Sequence, residues 1–433
     1  MPEFLKLLAP DEARKLLLSN LPSVKRRSEQ IDTVLSPGWV TAEDITAPHS
    51  LPEFPRSTVD GYAVRARDTY GASDSLPTYL TMIGEIPMGS APLQKLGNGQ
   101  CGLIHTGGML PAGADAVVML EYTQVVSGGT LAFPQSEIEI FRAVADGENT
   151  VQIGEDVKAN SVVILAGCRI RPAEVGGLMA LGITQIRVVK KPKIGLISSG
   201  DEIVDPSNQP QMGQVRDINA YTLAALVRNA GGEPVNYGIV PDVKSELESV
   251  ARRALLECDM VVITAGSSAS TRDMTADVIS MLGAPGILVH GINTRPGKPT
   301  ILGVCNGKPV IGLPGNPVSA LVNGYLFVVP VVEKLLGETP RPRPSVSARL
   351  TVNLPSQAGR EDWIPVRLVQ PGASIKNEGA FLPGGSGSEP YDAEPIFGKS
   401  NLIFTLAAAD GLLRIPPDVT GFEVGEITEI LLF

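Results

Sequence analysis

Short apolar runs rich in branched residues recur between residues 193 and 337, and each run ends in a polar loop that contains glycine. Three of these runs span residues 194–197, 260–263 and 309–312. Short apolar runs closed by turn residues are typical of strands that are buried on both faces. The pattern therefore predicts three buried strands in this part of the chain.

Amphipathic stretches lie between these strands, with apolar residues three or four positions apart. The predicted helices cover residues 219–230, 243–257 and 317–336, and a further one passes through residues 278–282. Asp242 and Asp273 are placed to cap two of them, because a side-chain oxygen at a helix start accepts a free backbone N–H group. Asn316 followed by Pro317 gives the last helix an N-cap and a favoured first residue, and Pro330 is expected to kink it.

Strands that alternate with helices predict a parallel sheet with helices on both faces. In such a sheet each strand-to-helix loop leaves from the same edge, where ligands normally bind. Three loops should therefore meet, at residues 198–202, 264–268 and 313–317. Their Gly, Ser and Asn residues expose backbone N–H groups, which favour anions. Any one of these loops is more often an ordinary turn, but the three together favour a binding site.

The rest of the chain is turn-rich, with 46 Gly and 36 Pro, and predicts β-domains beside the α/β core. Residues 5–35 have helical spacings and are interpreted as scaffold or an oligomer surface. Strand-like runs at 78–83, 102–105 and 116–120 and a helix near 173–181 follow. The predicted domains are a discontinuous one (1–45 with 143–188), a β-rich insert (46–142), an α/β domain (189–338) and a closed or nearly closed C-terminal β-domain (339–433).

Composition and charge indicate a soluble globular protein, with 43% hydrophobic and 19% charged residues. The formal net charge of −10 argues against non-specific nucleic-acid binding, so an anionic ligand needs local cations or a bound metal ion. Four cysteines without paired spacing and three histidines argue against a metal site built from Cys or His. We see neither a signal peptide nor an apolar run of membrane-spanning length, which predicts a cytoplasmic protein.

Acidic residues collect at the strand ends and helix starts of the predicted α/β domain. They are Asp201, Glu202, Asp217, Asp242 and Asp273. Carboxylate oxygens suit Mg²⁺, which keeps part of its water shell and bridges to substrate phosphates. Helix capping is the alternative for Asp242 and Asp273. Arg295 and Lys298 straddle a stiff Pro-Gly turn and are interpreted as anion contacts, with two solvated cations as the alternative.

Two further polar loops lie in the predicted β-rich insert. Residues 51–64 form a proline-stiffened loop in which Asp60 precedes a glycine, and residues 104–118 carry Thr106 before a glycine pair. A turn aspartate is commonly just part of an Asx-turn. A stiffened loop is also a means of holding a carboxylate toward a ligand. Both interpretations of Asp60 stay open at this point.

Six motifs in these loops carry a resemblance to a known family. The motifs are Ser57-Thr-Val-Asp-Gly-Tyr-Ala-Val64, Thr106-Gly107, Ser199-Gly-Asp-Glu202, Asp217-Ile-Asn219, Arg295-Pro-Gly-Lys-Pro299 and Leu313-Pro-Gly-Asn-Pro-Val-Ser319. In this order, and along almost the whole chain, they resemble the MoeA family. That family comprises the molybdopterin molybdenumtransferases and includes the C-terminal domain of gephyrin.

The resemblance implies a fold and a reaction. The fold would join a central three-layer α/β/α domain with a mostly parallel sheet, similar to MogA, to a β-rich insert, an elongated discontinuous domain that dimerises and a small C-terminal β-barrel. The chain would form a homodimer with the active site between protomers. It would insert molybdate into adenylylated molybdopterin with release of AMP and with Mg²⁺ as cofactor, in the last step of molybdenum cofactor biosynthesis. The resemblance also implies the adenylyltransferase that supplies the pterin as a partner, whereas nucleic acid and membranes are not expected to bind.

The family's site residues map onto this chain motif by motif. The implied catalytic residues are Asp60, Thr106, Glu202, Asp242, Asp273 and Lys298, and the implied metal ligands are Glu202, Asp242 and Asp273. The implied residues for pterin, nucleotide and oxyanion binding are Ser199, Gly200, Asp217, Asn219, Gly266, Ser267, Ser268, Arg295, Pro314, Gly315, Asn316, Pro317, Ser319, Arg367 and Ser400.

The chain departs from the family's pattern at three places. Many members have lysine where Arg295 stands, and a planar guanidinium is not equivalent to a point ammonium. Residues 265–270 contain fewer glycines than is common in that loop. The arginine often found near Pro365 is absent, and Arg360 and Arg367 flank the position, with Arg367 expected to share its strand face.

Two alternatives to molybdate insertion remain. Tungstate is a tetrahedral dianion of similar size, and no residue here distinguishes the two oxyanions. A non-catalytic scaffold of the same fold is the second alternative. The retained charged set of Asp60, Glu202, Asp242, Asp273 and Lys298 argues against it, since a scaffold need not keep costly buried charges.

Overall fold

The computed structural model describes residues 7–22, 26–126, 135–266, 269–371 and 390–433, and for residues 269–273 it describes the backbone alone. The chain divides into two compact units. The insert unit contains Gln30–Pro37 and Glu43–Arg187, and the main unit contains Met1–Glu29, Gly38–Ala42 and Val188–Phe433. The finer division into four domains stays a prediction.

Strands are numbered in chain order. Up to the boundary of the main unit they are β1 (Ser28–Asp32), β2 (Ile45–Thr46), β3 (Arg56–Ser57), β4 (Gly61–Val64), β5 (Thr78–Glu85), β6 (Gln100–Ile104), β7 (Ala116–Met119), β8 (Thr123–Val125), β9 (Glu137–Ile140), β10 (Thr150–Val151), β11 (Val162–Ile164) and β12 (Gln185–Val189). The main unit continues with β13 (Lys193–Ser199), β14 (Ile203–Val204), β15 (Val215–Arg216), β16 (Glu233–Val240), β17 (Met260–Ala265), β18 (Pro285–His290), β19 (Thr294–Arg295), β20 (Ile301–Cys305) and β21 (Lys308–Pro314). The last strands are β22 (Ser345–Leu350), β23 (Leu354–Pro355), β24 (Glu361–Val369), β25 (Tyr391–Pro395), β26 (Gly411–Ile415), β27 (Gly421–Phe422) and β28 (Ile427–Leu432).

Helices are numbered in the same way. They are α1 (Pro10–Ser19), α2 (Pro172–Ala180), α3 (Asn219–Asn229), α4 (Lys244–Glu257), α5 (Ala269–Met281), α6 (Pro317–Asn323), α7 (Val329–Leu336) and α8 (Phe404–Ala407). Short 3₁₀ turns span Thr33–Leu35, Ala66–Thr69 and Leu120–Tyr122, and a π-helical turn spans Gly324–Val328. Helices α2, α3 and α4 confirm the helices predicted near residues 173–181, 219–230 and 243–257.

The insert unit is built on a six-stranded sheet with the order β7-β4-β6-β5-β9-β8. Strands β5, β6 and β7 confirm the three runs predicted in this region. Successive residues of a strand point to opposite faces of its sheet. Tyr62 and Val118 accordingly pack in one core cluster, while Ala63 and Val117 pack in another. Both faces of the sheet are therefore covered.

The helical interpretation of residues 5–35 is correct only for its first part, which forms α1. The segment Ser28–Asp32 is a strand, and the 3₁₀ turn Thr33–Leu35 follows it. The backbone N–H of Thr33 donates to the carbonyl of Thr184 at 2.8 Å, and its hydroxyl donates to the carbonyl of Ile183 at 2.7 Å. These bonds connect Thr33 to a distant segment, so its backbone N–H is not available for a bond within a local α-helix. The helical spacing of residues 28–35 therefore does not produce an α-helix.

The main unit contains a six-stranded sheet in the order β16-β13-β17-β21-β20-β18. The first four strands are parallel, and β20 and β18 run antiparallel to their neighbours. The three predicted strands are β13, β17 and β21, so the expected mostly parallel sheet is confirmed. A tight hairpin joins β20 to β21 through Asn306 (φ 53°) and Gly307 (φ 78°), since this turn needs positive φ at both residues.

Helices cover both faces of this sheet and make the predicted three layers. Neighbouring strand residues belong to different core clusters: Leu196 packs with Leu223 of α3, and Ile197 packs with Leu247 of α4. This alternation follows from the two-residue repeat of a strand. Strands buried on both faces read as continuous apolar runs, which is why they were recognisable in the sequence.

The C-terminal part of the main unit forms a small closed barrel. Strands β24, β25, β22, β28 and β26 pair in that order, and β26 pairs back onto β24. The predicted small β-barrel is thus confirmed. Strand β19 pairs in parallel with the start of β24, and Arg295 lies opposite Asp362 in the strand register. The barrel is therefore attached directly to the segment that carries Arg295 and Lys298.

The last helix of the α/β part begins at Pro317, with Asn316 in the N-cap position as predicted. The helix does not simply kink at Pro330, because the π-helical turn Gly324–Val328 precedes that proline. Contrary to expectation, this helical run, Pro317–Leu336, is long and apolar enough to cross a membrane. Since 67% of its apolar window is buried inside the protein, it is a core helix.

Candidate functional site

The carboxyl edge of the parallel sheet brings the predicted loops together. After β13, the hydroxyl of Ser199 donates to Asp242 Oδ1 at 2.7 Å, and Asp242 lies in the loop after β16. The backbone N–H of Asp242 in turn donates to Asp201 Oδ1 at 3.1 Å. Gly200 N–H donates to the carbonyl of Val240 at 3.2 Å. These three bonds tie two loops together that lie about 40 residues apart.

The capping predictions for Asp242 and Asp273 are wrong. Val243 occupies the N-cap of α4 and makes no side-chain cap bond, and the Asp242 carboxylate is turned to Ser199 instead. Asp273 lies inside α5, which begins at Ala269. The bond between Ser199 and Asp242 joins two neighbouring strand ends, and helix periodicity alone gives no information about such a bond.

Asp217 and Asn219 connect the start of α3 to two more loops. Asp217 is buried; its Oδ2 accepts the Ser198 hydroxyl at 2.7 Å and its Oδ1 accepts the Ala220 N–H at 3.2 Å. Asn219 Nδ2 donates to the carbonyl of Gly315 at 2.8 Å. Among the described residues, the buried Asn219 Oδ1 has no hydrogen-bond partner. Asp217 therefore stabilises the start of α3, and Asn219 keeps one acceptor available beside Gly315.

The loops after β17 and β21 approach each other closely. A Cβ atom at Gly315 would lie 2.9 Å from the Ala265 carbonyl oxygen and 3.3 Å from Gly266 Cα, so this contact requires glycine. A small cavity lies here, lined by Ala265, Gly266, Thr275, Pro299, Ile301, Gly312, Leu313 and Pro314. Ser267 and Ser268 lie outside the described residues, and so does the Asp273 side chain.

The segment with Arg295 and Lys298 is held by a residue that sequence reasoning missed. Asn323, fully buried at the end of α6, donates from Nδ2 to the carbonyls of Ser319 at 2.8 Å and Pro296 at 3.2 Å. A Cβ atom at Gly297 would overlap that nitrogen. No sequence signal marks Asn323, because it occupies an ordinary position on a predicted apolar helix. Its contacts fix the backbone between the two cations.

Both cations of this segment are exposed, and neither the Arg295 nor the Lys298 side chain has a hydrogen-bond or ion-pair partner among the residues that the structure describes. The Lys298 backbone is fixed, since its carbonyl accepts the Ile292 N–H at 2.8 Å. Ser400 reaches the same region from the barrel, because its carbonyl accepts the Val318 N–H at 3.0 Å in the first turn of α6. Pro314, Asn316, Pro317 and Ser319 belong to this strand-to-helix connection.

Glu202 follows β13 and is exposed, and within the described part of the chain its carboxylate has no protein partner. Asp60 and Lys298 are exposed as well, so the expectation that these charges are buried is wrong, and the cost of burial gives no argument against a scaffold. Among the described residues no group of three or more His, Cys, Asp or Glu side chains is arranged to hold a metal ion. The donors present nevertheless fit Mg²⁺: Glu202 and the second oxygen of Asp242 are hard ligands after neighbouring strands. Mg²⁺ in phosphate-handling sites commonly takes only one or two carboxylates beside water and phosphate.

Arg367 and Arg360 differ in their environments. Arg360 donates to both oxygens of Asp362, at 2.7 and 3.0 Å, and is committed to that ion pair. Arg367 is exposed on β24 opposite Glu394 of β25. Of the two arginines, Arg367 is therefore the one whose guanidinium can contact an oxyanion.

Asp60 and Thr106 come together in the insert unit. Thr106 donates to Asp60 Oδ1 from its backbone N–H at 2.7 Å and from its hydroxyl at 3.1 Å. Both bonds lower the pKa of Asp60 below its usual value, and the backbone bond has the larger effect. Oδ2 is not used by these bonds. Asp60 is therefore held as an ionised acceptor at the surface of this unit.

His105 and Glu85 lie next to Asp60 and Thr106, and the sequence did not predict them as site residues. His105 Nδ1 lies 3.8 Å from Asp60 Oδ1, and its Nε2 lies 3.0 Å from Glu85 Oε1. The position of His105 directly before Thr106 was a signal that could have identified it. Glu85 lies at the end of β5, and only the fold brings it to this place.

Comparison with known proteins gives three matching family regions. Residues 8–182 match the MoeA N-terminal region (domain I and II), residues 195–334 the "probable molybdopterin binding domain", and residues 347–433 the MoeA C-terminal region (domain IV). A molybdopterin molybdenumtransferase of Haemophilus influenzae is 34% identical over 358 residues, which are 82% of this chain and 85% of that protein. One of Bacillus subtilis is 32% identical over 395 residues, 90% of this chain and 86% of that protein. The crystal structure of the molybdopterin biosynthesis MoeA protein from Pyrococcus horikoshii superimposes with a TM-score of 0.82 at 32% identity, covering 99% and 100% of the two chains.

Proposed function

The chain belongs to the MoeA family, and on that premise we propose that it inserts molybdate into adenylylated molybdopterin and releases AMP. One observation carries the proposal: loops from four parallel strands meet at one sheet edge, beside two exposed cations whose side chains have no partner within the described ranges. Backbone N–H groups and unpaired cations at such an edge suit a phosphate-bearing ligand.

Residues of the main unit would bind the phosphate groups, orient the ligand and hold the metal ion. Arg295 and Lys298 would bind phosphate oxygens, and Asn219 would orient the ligand beside Gly315. Glu202 and Asp242 would hold Mg²⁺, which, when bound, neutralises charge that builds up on the phosphoanhydride. Fixed cations and amides stabilise such charge without having to reorganise during the reaction.

The insert unit would supply Asp60 and Thr106. Ionised Asp60, held through Oδ1 by Thr106, offers Oδ2 to a donor group or a water molecule of the substrate complex. In a homodimer with the active site between protomers, these residues would act on a ligand held by the other protomer. Exposed apolar side chains on the 3₁₀ turn, Val34 and Leu35, support an oligomer surface.

We further propose the four-domain division given above, a cytoplasmic location and the adenylyltransferase that supplies the pterin as a partner. Separate buried clusters around Tyr62 in the insert and around Leu413 in the barrel support two of these domains. Size-exclusion chromatography with light scattering tests the dimer.

The test of the reaction is AMP release from adenylylated molybdopterin, followed in parallel with Mg²⁺ and either molybdate or tungstate. We expect AMP release that requires the oxyanion and is faster with molybdate. Faster release with tungstate would support the tungstate alternative. If neither oxyanion elicits AMP, the chain is not a transferase, and the scaffold alternative gains support.

Arg367→Ala is expected to raise the KM for molybdate about tenfold, because one charge-assisted contact contributes about 1.5–3 kcal/mol. Binding of the pterin nucleotide should stay nearly unchanged. Steady-state AMP release with each substrate varied in turn measures both constants. Arg349→Ala, which removes another arginine from the same barrel, is the matched control. An equal loss for both substrates would contradict this role of Arg367.

The pH dependence of AMP release is expected to report Asp60. Because its folded pKa is lowered, Asp60 stays ionised at neutral pH, and activity should fall only as the pH drops through that lowered value. Thr106→Val removes the hydroxyl donor and should move the acid limb of kcat/KM to higher pH. Thr123→Val, whose hydroxyl bonds to the Leu120 carbonyl, is the control. An acid limb shifted to lower pH in Thr106→Val would refute the assignment.

A further inference from the structure

A basic cavity lies at the amino edge of the main sheet, where β13, β17 and β21 begin, and thus opposite the loops described above. It is lined by Arg26, Arg27, Val189, Lys190, Lys191, Pro192, Asp259, Gly307, Lys308 and Leu335. Its volume is about 130 Å³, close to the roughly 150 Å³ of a cavity that holds benzene, so it admits one small ion or molecule. Five basic residues face one acidic residue here, although the whole chain carries a net charge of −10.

Two of the cations are held in place by the protein. Lys308 Nζ donates to the carbonyls of Leu255 at 2.6 Å and Cys258 at 2.7 Å, at the C-terminal end of α4, where a cation is favoured. Lys191 Nζ lies 4.4 Å from the centroid of the Trp39 ring. The cavity therefore has fixed positive walls.

Asp259, the acidic residue of the lining, already accepts a hydrogen bond at each of its carboxylate oxygens. Asp259 Oδ1 accepts from Arg27 at 3.3 Å, and its Oδ2 accepts the backbone N–H of Lys193 at 2.8 Å. The Arg27 side chain remains 75% exposed in this pair. Asp259 thus cannot neutralise the remaining cations of the cavity.

The side chains of Arg26 and Lys190 have no hydrogen-bond or ion-pair partner in the part of the chain that the structure describes. The Arg26 guanidinium lies against Gly337, the C-cap of α7, where a Cβ atom would overlap it. The Lys190 backbone is tied down by its N–H, which donates to the carbonyl of Arg27 at 2.8 Å. Like charges gathered around one cavity repel each other unless an anion lies between them.

We propose that this cavity binds a small tetrahedral oxyanion of the phosphate class, either as the free ion or as the phosphate group of a small monoester. Arg26 and Arg27 present guanidinium groups, whose planar forks match phosphate oxygens, and Lys190 and Lys191 add point charges. Neither Arg295 nor Lys298 belongs to the cavity, so the inference does not rest on the proposed transferase reaction.

The test is calorimetric titration with inorganic phosphate at low ionic strength, where surface electrostatics are least screened. The Arg26→Gln/Lys190→Gln double variant should bind phosphate at least about tenfold more weakly than the native protein, since it loses two charged contacts to the anion. Lys244→Gln, which removes an exposed lysine of the same unit paired with Asp277, should leave binding unchanged. Thermal unfolding checks the fold of the variants, and the exposed single variant Lys190→Gln provides a second test if the double variant is unstable.

A Lys298→Gln variant separates this cavity from the loop edge, because phosphate binding should survive in it. A parallel titration with glycerol 2-phosphate distinguishes the two sources: tighter binding than phosphate identifies a monoester, and weaker binding identifies the free ion. The proposal is overturned if the native protein binds no phosphate, if the double variant binds it as tightly, or if Lys298→Gln abolishes binding.

Discussion

Glu202→Gln is expected to keep the fold and to lose Mg²⁺-dependent AMP release by about a hundredfold or more. The amide has nearly the same shape as the carboxylate but lacks the charge that a hard divalent cation requires. Metal polarisation contributes several kcal/mol to a transition state, and about 3 kcal/mol corresponds to about a hundredfold in rate. Because the Glu202 carboxylate is exposed and has no partner among the described residues, its loss should leave the stability unchanged.

The measurement is AMP release over a range of Mg²⁺ concentrations, together with the urea midpoint of each protein. Glu246→Gln is the matched control, since Glu246 is an exposed carboxylate in the first turn of α4, in the same unit. A purely electrostatic effect of overall charge would act on both variants alike. Native turnover by Glu202→Gln, or turnover that needs no divalent ion, would rule out the proposed metal role.

Gly297→Ala is expected to destabilise the main unit by about 3 kcal/mol. The added Cβ would overlap Asn323 Nδ2, and Asn323 is fully buried with two hydrogen bonds, so the neighbour cannot easily move. The backbone at Gly297 also has a φ of 101°, which side-chain-bearing residues rarely adopt. The same change should displace Lys298 and lower the affinity for the pterin nucleotide.

Gly359→Ala separates strain from steric overlap. Gly359 has a φ of 82°, but no atom lies within 4 Å of an added Cβ. It should therefore show only the backbone strain, about 1 kcal/mol. Urea unfolding measures both variants. Equal destabilisation of the two would show that the packing of Gly297 on Asn323 contributes nothing.

Local pattern predicted most of the framework. The strands β13, β17 and β21 were visible as apolar runs because both of their faces are buried, and α3 and α4 were visible from their periodicity. Patterns failed where long-range bonds override local spacing. The strand Ser28–Asp32 carries helical spacing, yet the segment that follows it is bonded to Thr184 and Ile183.

The sequence predicted which loops meet at the candidate site, but it predicted few of the side-chain contacts made there. The meeting of loops follows from parallel strands, so residues as distant as Ser199 and Asp242 could be expected near each other. Asn323, Glu85 and the use of Asp217 at the start of α3 could not be anticipated. Each of them depends on which side chain faces a neighbouring element.

The sequence by itself determined which segments form the buried strands and most of the helices of the α/β part, because periodicity and turn chemistry act over a few neighbouring residues. The tertiary structure alone decided which polar side chains are bonded within the protein and which can contact a ligand. Arg360 is paired with Asp362, whereas the Lys298 side chain remains without a partner among the described residues. The physical reason is that a polar side chain takes the partner that folding brings within about 3 Å, and that partner usually lies far away along the chain.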